Sequence, residues 1–272
     1  MKCSVLSSGS KANATYIETH DASILIDCGL SCRQCEKALN NISVNPASID
    51  AIFITHAHSD HIKGVKLFSN RHKVPVYATK ETLCVLDDPF EPIVIEKSRS
   101  YELKSFLIST ASTSHDAENS LSFKVSDSLH TIGYLTDTGK VSKKLEKFLQ
   151  NLSLLILEFN HDPIMLQTCD YPWHLKERIA SSYGHLSNLE ASEFFKKVYH
   201  ENLKALFLAH ISENTNTKEH AFKEATRTLS KIDESSNCFI KALGYDATPL
   251  YDLEKDFETL EIKEDYKLAV CL

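Results

Sequence analysis

The sequence predicts an α/β protein in which two β-sheets pack as a sandwich and helices flank them. Two observations indicate this fold class: strand-like apolar runs alternate with segments of helical periodicity, and both halves of the chain follow a similar order of elements. The composition, with 42% hydrophobic residues and only 7 Gly and 7 Pro, is that of an ordinary compact protein. We expect a single domain over residues 1–272, with the tail after about residue 250 as its least certain part.

The elements follow from apolar spacing and from the residues that interrupt it. In the first half, strands are predicted at 3–6, 14–19, 24–28, 51–55, 75–78, 92–96 and 104–113. Helices are predicted after a cap at Ser31, over 59–72 and over 80–87. In the second half, strands are predicted at 120–125, 130–136, 154–159, 204–209 and 238–243, and helices at 141–150, 172–182, 187–199 and 217–231. Ser187 and Glu190 fit a capping box, which predicts that a helix begins there.

Neither a secretory signal nor a membrane span is predicted. The first apolar run ends at Ser7, and no window approaches the roughly 18 uninterrupted apolar residues that cross a bilayer. Eight cysteines without close pairing suit a reducing compartment, so we expect a cytoplasmic protein. The net charge of −7 gives no overall attraction to nucleic acid or to an anionic membrane, so a phosphate-bearing partner must be attracted locally.

The segment His56-Ala57-His58-Ser59-Asp60-His61 directly follows a predicted buried strand. In an extended exit from that strand, His56 and His58 project to the same side, and Asp60 and His61 begin the next helix. Three imidazoles and a carboxylate suit Zn, Mn or Fe. A metal site accounts for this concentration of ligands better than a solvated loop does.

Three further candidates each follow an apolar strand: His115, Asp137 and His210. In α/β folds, ligands and catalytic groups lie at such strand ends. Taken one at a time, the histidines also fit surface positions, and Asp137 also fits a turn before Gly139.

These segments together resemble the metallo-β-lactamase-fold hydrolases. Residues 24–29 resemble the family's first strand-end motif, whose Asp, here Asp27, supports the metal loop without binding metal; residues 135–139 resemble the segment that carries its bridging Asp. The resemblance implies a four-layer αβ/βα sandwich with two mixed β-sheets flanked by helices. It also implies two metal ions, one bound by His56, His58 and His115, the other by Asp60, His61 and His210, with Asp137 bridging them.

Within that superfamily, residues 7–15, 158–162, 184–188 and 208–216 are similar to the YycJ/WalJ-type nucleases of bacterial cytoplasm. This resemblance implies a phosphodiesterase that acts on DNA ends as a 5′ to 3′ exonuclease, with two divalent ions, Zn or Mn and with Fe as a third option. Two such ions lower the pKa of a water toward about 7 and stabilise the attacking and leaving oxygens. The resemblance further implies catalytic roles for Asp60, for His185 as the group that protonates the leaving oxygen, and for Glu158, which orients His185.

Polar side chains near these segments are candidates for contact with a substrate phosphate. They are Ser8, Ser10, Asn13, His161, Ser212, Asn214 and Asn216. Local positive charge is expected from the metal ions and from basic residues near the motif, namely Lys11, Lys63, Lys66, Arg71 and Lys73.

Three alternatives stay open at this point. The same metal chemistry could hydrolyse a carbonyl compound such as a thioester, lactone or β-lactam, because fold and ligands alone do not fix the substrate. A metal-bound regulator without enzymatic activity is the second. The third is an iron–sulfur site at Cys28, Cys32 and Cys35, whose spacing resembles that of radical enzymes; ordinary core or surface thiols are its simpler interpretation.

Overall fold

A computed structural model describes residues 1–258, and this part of the chain forms two seven-stranded β-sheets. The first sheet contains β1 (Lys2–Ser7), β2 (Ala14–Glu18), β3 (Ser23–Ile26), β4 (Ala51–Phe53), β5 (Val76–Ala78), β6 (Pro92–Val94) and β14 (Tyr251–Asp252). The second contains β7 (Ser100–Leu103), β8 (Phe106–Ser112), β9 (Leu121–Ser126), β10 (Thr131–Leu135), β11 (Leu154–Glu158), β12 (Ala205–Ala209) and β13 (Phe239–Ala242). The strand orders are β14-β1-β2-β3-β4-β5-β6 and β13-β12-β11-β10-β9-β8-β7.

Helices connect these strands and cover the sheets. They are α1 (Cys32–Asn41), α2 (Ser59–Ile62), α3 (Val65–His72), α4 (Lys80–Leu86), α5 (Lys143–Phe148), α6 (Pro163–Thr168), α7 (Trp173–Ala180), α8 (Asn188–Val198) and α9 (Lys218–Ile232). Short 3₁₀ turns lie at Pro46–Ser48 and Asp256–Glu258. None of the helices in residues 1–258 has the length and apolar character to pass through a bilayer.

Each sheet is antiparallel on one side and parallel on the other. In the first sheet β1, β2 and β3 pair antiparallel, and β3 to β6 pair parallel. In the second sheet β7 to β10 pair antiparallel, and β10 to β13 pair parallel. Parallel strands need crossover connections, and α1 and α8 lie within two of them. The carboxyl ends of the parallel strands therefore lie together at one edge of each sheet.

The central core lies between the sheets. Ile24 and Phe53 from the first sheet pack there with Phe123, Ile156 and Phe207 from the second, and the Phe53 and Phe123 rings meet edge to face at 5.9 Å. Separate apolar clusters lie under the helices on the two outer faces. The order of layers is helix, sheet, sheet, helix, which confirms the predicted fold class.

The predicted capping residues are confirmed at two helices. The Ser31 side chain accepts from the backbone N–H of Gln34 at the start of α1, and Ser187 does the same with Glu190 at the start of α8. In both cases the side chain of the third helical residue also accepts a hydrogen bond from the backbone N–H of the cap residue. Two otherwise unpaired amides are thus satisfied at each helix start.

The predicted helix over 59–72 is wrong in one respect, because it is two helices separated at Gly64. The Gly64 N–H donates to the Cys28 carbonyl oxygen at 2.8 Å, and a Cβ at this position would lie 2.2 Å from the Leu30 carbonyl oxygen. The loop that precedes α1 passes so close to position 64 that only glycine fits there.

Two further differences concern short elements. The predicted strand 104–113 is confirmed as β8, but it is the second strand of a hairpin whose turn has Lys104 at φ 53°, and the first strand of that hairpin, β7, was not predicted. No glycine marks this turn, so the usual hairpin signal is missing. Helix α6 was also not predicted, although Asp162 caps it and Pro163 is its first residue. The tail was predicted to be uncertain after about residue 250; β14 lies within the described residues, and residues beyond 258 lie outside them.

Candidate metal centre

The candidate site lies where the carboxyl ends of strands from both sheets meet. Asp27 follows β3, His56 follows β4, Asp137 follows β10 and His210 follows β12, while Glu158 is the last residue of β11. This is the edge at which open α/β sheets bind ligands. The topology therefore places side chains from distant parts of the sequence around one point.

Three of these strand ends turn through a left-handed backbone conformation. The φ angles are 60° at Asp27, 56° at Asp137 and 53° at His210. For residues other than glycine, this backbone conformation costs of the order of 1 kcal/mol or more each. Hydrogen bonds hold the conformation: Asp27 Oδ1 accepts from the Thr55 N–H at 2.8 Å, and the His210 N–H donates to Ser8 Oγ at 2.8 Å. Strain held in this way is typical of functional sites.

One group of ligand atoms comes from His56, His58 and His115, which lie within 4.8 Å of one another. His115 Nδ1 is 3.1 Å from the Gly184 carbonyl oxygen, so it carries the proton in the neutral ring and leaves Nε2 with a free lone pair. That Nε2 is 3.3 Å from His58 Nδ1. The two nitrogens thus face a common point.

A second group comes from Asp60, His61 and His210. Asp60 Oδ2 is 3.3 Å from His61 Nε2 and 3.5 Å from His210 Nε2. The other nitrogen of each ring faces a buried carboxylate: His61 Nδ1 is 2.8 Å from Asp27, and His210 Nδ1 is 3.0 Å from Glu158. Carboxylates in this position fix the tautomer and the orientation of metal-binding imidazoles.

Asp137 lies between the two groups. Its Oδ2 is 3.2 Å from His61 Nε2, and its Oδ1 is 3.7 Å from His115 Nε2. His56 Nε2 is buried without a hydrogen-bond partner, and the buried Asp137 Oδ2 has the ion-pair contact with His61 but no well-aligned hydrogen bond. Buried polar atoms without partners are costly, and divalent cations would satisfy both. The donor set of imidazoles and carboxylates therefore fits such cations.

The electrostatics of these groups reflect their burial and proximity. Burial lowers the pKa of His56 well below its usual value, and repulsion from His61 adds to the effect. Burial alone would also lower the pKa of His210, but Asp137 and Asp60 outweigh it and raise that pKa to about 10. The carboxylates around His210 therefore favour positive charge at this point of the site, which a bound cation would also supply.

His185 and Glu158 form a pair beside this centre. His185 Nδ1 is 2.7 Å from Glu158 Oε1 and 3.6 Å from Asp137 Oδ1. The Glu158 side chain is fully buried, whereas one fifth of the His185 side chain is exposed. Burial would raise the pKa of Glu158, but His185 and His210 lower it to about 2, so the carboxylate stays ionised and orients both rings.

Two residues at the site were not singled out from the sequence. Asp116 Oδ1 is 3.3 Å from His115 Nε2 and 3.6 Å from His58 Nε2, and Arg178 holds its other oxygen. Asn160 Nδ2 donates to the His210 carbonyl oxygen at 3.0 Å. The position of Asp116 directly after His115 was the available signal, whereas the role of Asn160 depends on the tertiary structure.

Most of the predicted phosphate contacts are used elsewhere. Asn13 Nδ2 donates to Asp60 Oδ2 at 3.1 Å, and Ser8 Oγ accepts from the His210 N–H. Both residues thus stabilise the positions of candidate metal ligands. Asn216 is buried, and its amide donates to the Phe159 carbonyl oxygen and pairs with Asn188, so its polar atoms are bonded within the fold.

The remaining four candidates differ in exposure. His161 and Ser212 are buried, and the Ser212 hydroxyl accepts from the Thr215 N–H within its own turn. Ser10 and Asn214 are exposed, although the Asn214 amide also donates to the Tyr171 hydroxyl at 2.6 Å. Ser10 and Asn214 are thus the two predicted contacts that a substrate can reach directly.

The cysteines considered for an iron–sulfur site are core thiols. Cys28, Cys32 and Cys35 are buried between α1 and the first sheet, in the same apolar cluster as Phe68. Their surroundings are a two-sheet sandwich rather than the barrel of radical enzymes, so the fold argues against that alternative.

Comparisons with known proteins agree with this geometry. Residues 22–211 match the family model described as a beta-lactamase superfamily domain. The chain is 32% identical over 256 residues to the exodeoxyribonuclease WalJ of Streptococcus pneumoniae, covering 91% of this chain and 94% of that protein. It is 31% identical over 234 residues to the exodeoxyribonuclease YycJ of Bacillus anthracis, covering 84% and 89%.

Among solved structures, the metallo-β-lactamase fold protein YhfI of Bacillus subtilis superposes with a TM-score of 0.70 at 21% identity, covering 91% of this chain and 98% of that one. The Zn²⁺-bound PqqB of Methylobacterium extorquens superposes with a TM-score of 0.66 at 13% identity, covering 92% and 100%. At these identities the two structures establish the fold alone.

Proposed function

Because the chain belongs to the beta-lactamase superfamily and has the fold of its metallo-hydrolases, we propose that it is an exodeoxyribonuclease that degrades DNA from an end in the 5′ to 3′ direction. The observation that carries the proposal is the convergence of two groups of ligand atoms on Asp137, beside the His185–Glu158 pair. The names and the coverage of the relatives support DNA as the substrate.

The proposed metal ligands are the residues that converge at the strand ends. One ion would be held by His56, His58 and His115, the other by Asp60, His61 and His210, and Asp137 would contact both. Two divalent ions, Zn or Mn with Fe as a third option, supply a water activated at neutral pH and positive charge that stabilises the transition state of phosphodiester cleavage.

His185 has the properties of the group that protonates the leaving oxygen. Its Nδ1 bonds to the ionised Glu158, so Glu158 fixes the orientation of the ring. The partly exposed imidazole can then donate a proton to the departing alkoxide and recover it from water. Asp60 has a further role here, because its carboxylate aligns His61 and His210.

The carbonyl-hydrolase alternative uses the same donor set, and the metal-bound regulator needs no His185–Glu158 pair. We favour the nuclease because both relatives named exodeoxyribonucleases match over most of their own length. A cytoplasmic location is part of the proposal, and the free cysteines among residues 1–258 are consistent with it.

The test uses protein loaded with Mn or Zn and offers DNA and RNA labelled at the 5′ or the 3′ end, together with a panel of thioesters and lactones. We expect a 5′ label on DNA to be released first as a mononucleotide. Hydrolysis of a thioester without cleavage of DNA would favour the carbonyl alternative, and saturable protein binding without any hydrolysis would favour the regulator.

Two variants make this assay specific. His58→Ala should abolish the nuclease activity because it removes a proposed metal ligand. His20→Ala is the matched control and should retain full activity, since the His20 side chain is 84% exposed and lies in the turn between β2 and β3, at the opposite end of β3 from Asp27.

A further inference from the structure

A groove lined by cations and hydroxyl groups lies on the outer surface of the second sheet and encloses about 640 Å³. Its cationic side chains are Lys97, Arg99, Lys124 and Lys144. The carboxylates of the described residues do not contribute to its lining. In a protein with a net charge of −7, this local concentration of positive charge is unusual.

The groove follows from the way the second sheet is covered. Its floor is the outer face of β7, β8 and β9, and α5 forms one side. Part of this face is open: the Leu107 side chain is 43% exposed, and the Ser100 and Ser109 hydroxyls bond to each other across β7 and β8. By contrast, every residue of β11 and β12 is buried.

The lysines of this groove are not neutralised by neighbours. Within residues 1–258, Lys97, Lys124 and Lys144 form no ion pair, and Arg99 pairs only with Glu96, at 3.6 Å and with both side chains mostly exposed. Such a pair contributes little. The groove therefore has positive charge available for a ligand.

The basic residues that the sequence suggested near the metal motif are different. Lys11 pairs with Glu213 at 2.6 Å, Lys66 pairs with Asp87, and Arg71 pairs with Glu36. Each of these three cations has a carboxylate beside it, although such exposed pairs contribute little, and Lys63 and Lys73 form no ion pair within residues 1–258. What distinguishes the groove is that three unpaired lysines and Arg99 line one cavity.

Lys124 is the least exposed of the four cations. Its ammonium lies 5.7 Å from the centre of the Phe148 ring, and burial lowers its pKa. A phosphate oxygen in the groove would compensate for the lost solvation of this ammonium. The position thus favours an anionic ligand over water.

One end of the groove is close in sequence to two candidate metal ligands. Ser112, at one end of its lining, is the last residue of the strand that leads to His115, and Ser142 caps the helix that follows Asp137. At about 3.3 Å per residue, Ser112 lies within about 10 Å of His115. The near end of the groove is therefore within reach of a strand whose end is at the metal centre.

We propose that this groove binds the phosphate backbone of the DNA strand on the 3′ side of the nucleotide being removed. The inference rests on the proposed function, which places the 5′ end at the metal centre and leaves the rest of the strand to run outward. A cationic groove that follows the backbone, with hydroxyl groups as additional donors, is how proteins hold single strands without reading their sequence.

The test replaces the two most accessible lysines in Lys97→Ala/Lys144→Ala, because both side chains are exposed and are not part of the core. Each phosphate contact on a single strand contributes about −0.7 to the slope of log affinity against log salt. We expect the slope for a labelled single strand to become shallower by about 1.4 and the KM at 0.15 M salt to rise about tenfold, with kcat unchanged.

Two controls separate groove binding from other effects. Lys37→Ala/Lys231→Ala removes two exposed lysines from α1 and α9, outside the groove, and should change neither the slope nor the KM. Bis(p-nitrophenyl) phosphate is too small to reach the groove, so the Lys97→Ala/Lys144→Ala variant should hydrolyse it as the wild type does.

The outcomes distinguish the two proposals. If the wild type digests DNA but the groove variant keeps its KM and salt slope, the groove inference is overturned and the nuclease proposal stands. An equal loss of activity on DNA and on the small phosphodiester would also overturn it, because the lysines would then support the site rather than bind the strand. A wild type that leaves all DNA intact would refute the nuclease proposal itself.

Discussion

The half of the molecule built on the first sheet and the half built on the second sheet contribute to the metal centre in different ways. The first half provides four candidate ligands from a single segment of six residues, His56 to His61, at the end of β4. The second half provides His115, Asp137 and His210 from three separate connections, each after a different strand. The first contribution therefore depends on the conformation of one loop, and the second depends on the sheet that aligns three strand ends.

The supporting contacts differ in the same way. Asp27 holds the first-half loop through Thr55 and His61 together, so one buried carboxylate organises several ligands. In the second half, Glu158 supports only one of the candidate ligands, His210, together with His185, and His115 is held separately by the Gly184 carbonyl oxygen. We expect substitutions in the first half to perturb the ligands as a group and those in the second half to act one ligand at a time, with Asp137 as the exception because it contacts both groups.

Asp137→Ala should have the largest effect. It removes the carboxylate between the two groups, and we expect kcat to fall at least about 10⁴-fold, the scale of losing an essential catalytic group. Metal content measured by mass spectrometry should fall for both ions. Loss of only one ion, with substantial activity left, would contradict the position assigned to Asp137 between the halves.

His185→Ala should reduce kcat about 10²–10⁴-fold, as expected for a lost general acid, while the metal content stays at the wild-type value. Metal content and kcat are measured on the same preparation of the variant and compared with those of the wild type. Unchanged turnover would remove His185 from the mechanism, and lost metal would instead make it a ligand.

Asp27→Asn should act through the first-half loop. The carboxamide cannot accept from Thr55 and His61 as the carboxylate does, so we expect metal affinity to fall about 10–100-fold, as for other residues that orient ligands. Titration with a chromophoric chelator gives the affinities. If the variant lost binding to one ion only, the loop would not act as the single unit that the comparison describes.

The smallest effect concerns acid stability of the metal-free protein. The pKa of Glu158 is about 2 in the folded protein and near its ordinary 4.5 when unfolded, so its stabilising contribution is complete above pH 4.5 and is lost as the pH falls toward 2. This should lower the free energy of unfolding by about 1–3 kcal/mol across that window. Urea unfolding at pH 5 and pH 3 measures it, and Glu158→Gln should show a smaller difference between the two pH values.

The sequence was sufficient for much of this fold and site. The buried strand predicted at 154–159 and the helix starts predicted at Ser31 and Ser187 depend on residues close together in the chain. Such short-range patterns predict local structure directly, and all three elements are present in the fold. The break at Gly64 could not be predicted, because it arises from the contact with the Leu30 carbonyl across the fold.

The same distinction applies to the site residues. The histidine segment after β4 is visible in the sequence, whereas the uses of Asn13, Ser8 and Asn216 depend on contacts between residues far apart in the chain. Composition also gave an incomplete picture of charge: the overall value of −7 conceals a groove in which Lys97, Lys124 and Lys144 lie together without carboxylate partners in the described part of the chain.

The most direct test of the central claim is a crystal structure of the metal-loaded protein with anomalous diffraction recorded at the absorption edge of the added metal. We predict two anomalous peaks, one among His56, His58 and His115 and one among Asp60, His61 and His210, each within bonding distance of Asp137. A loaded crystal with no peak between the two halves, or with its peaks away from these seven side chains, would contradict the account.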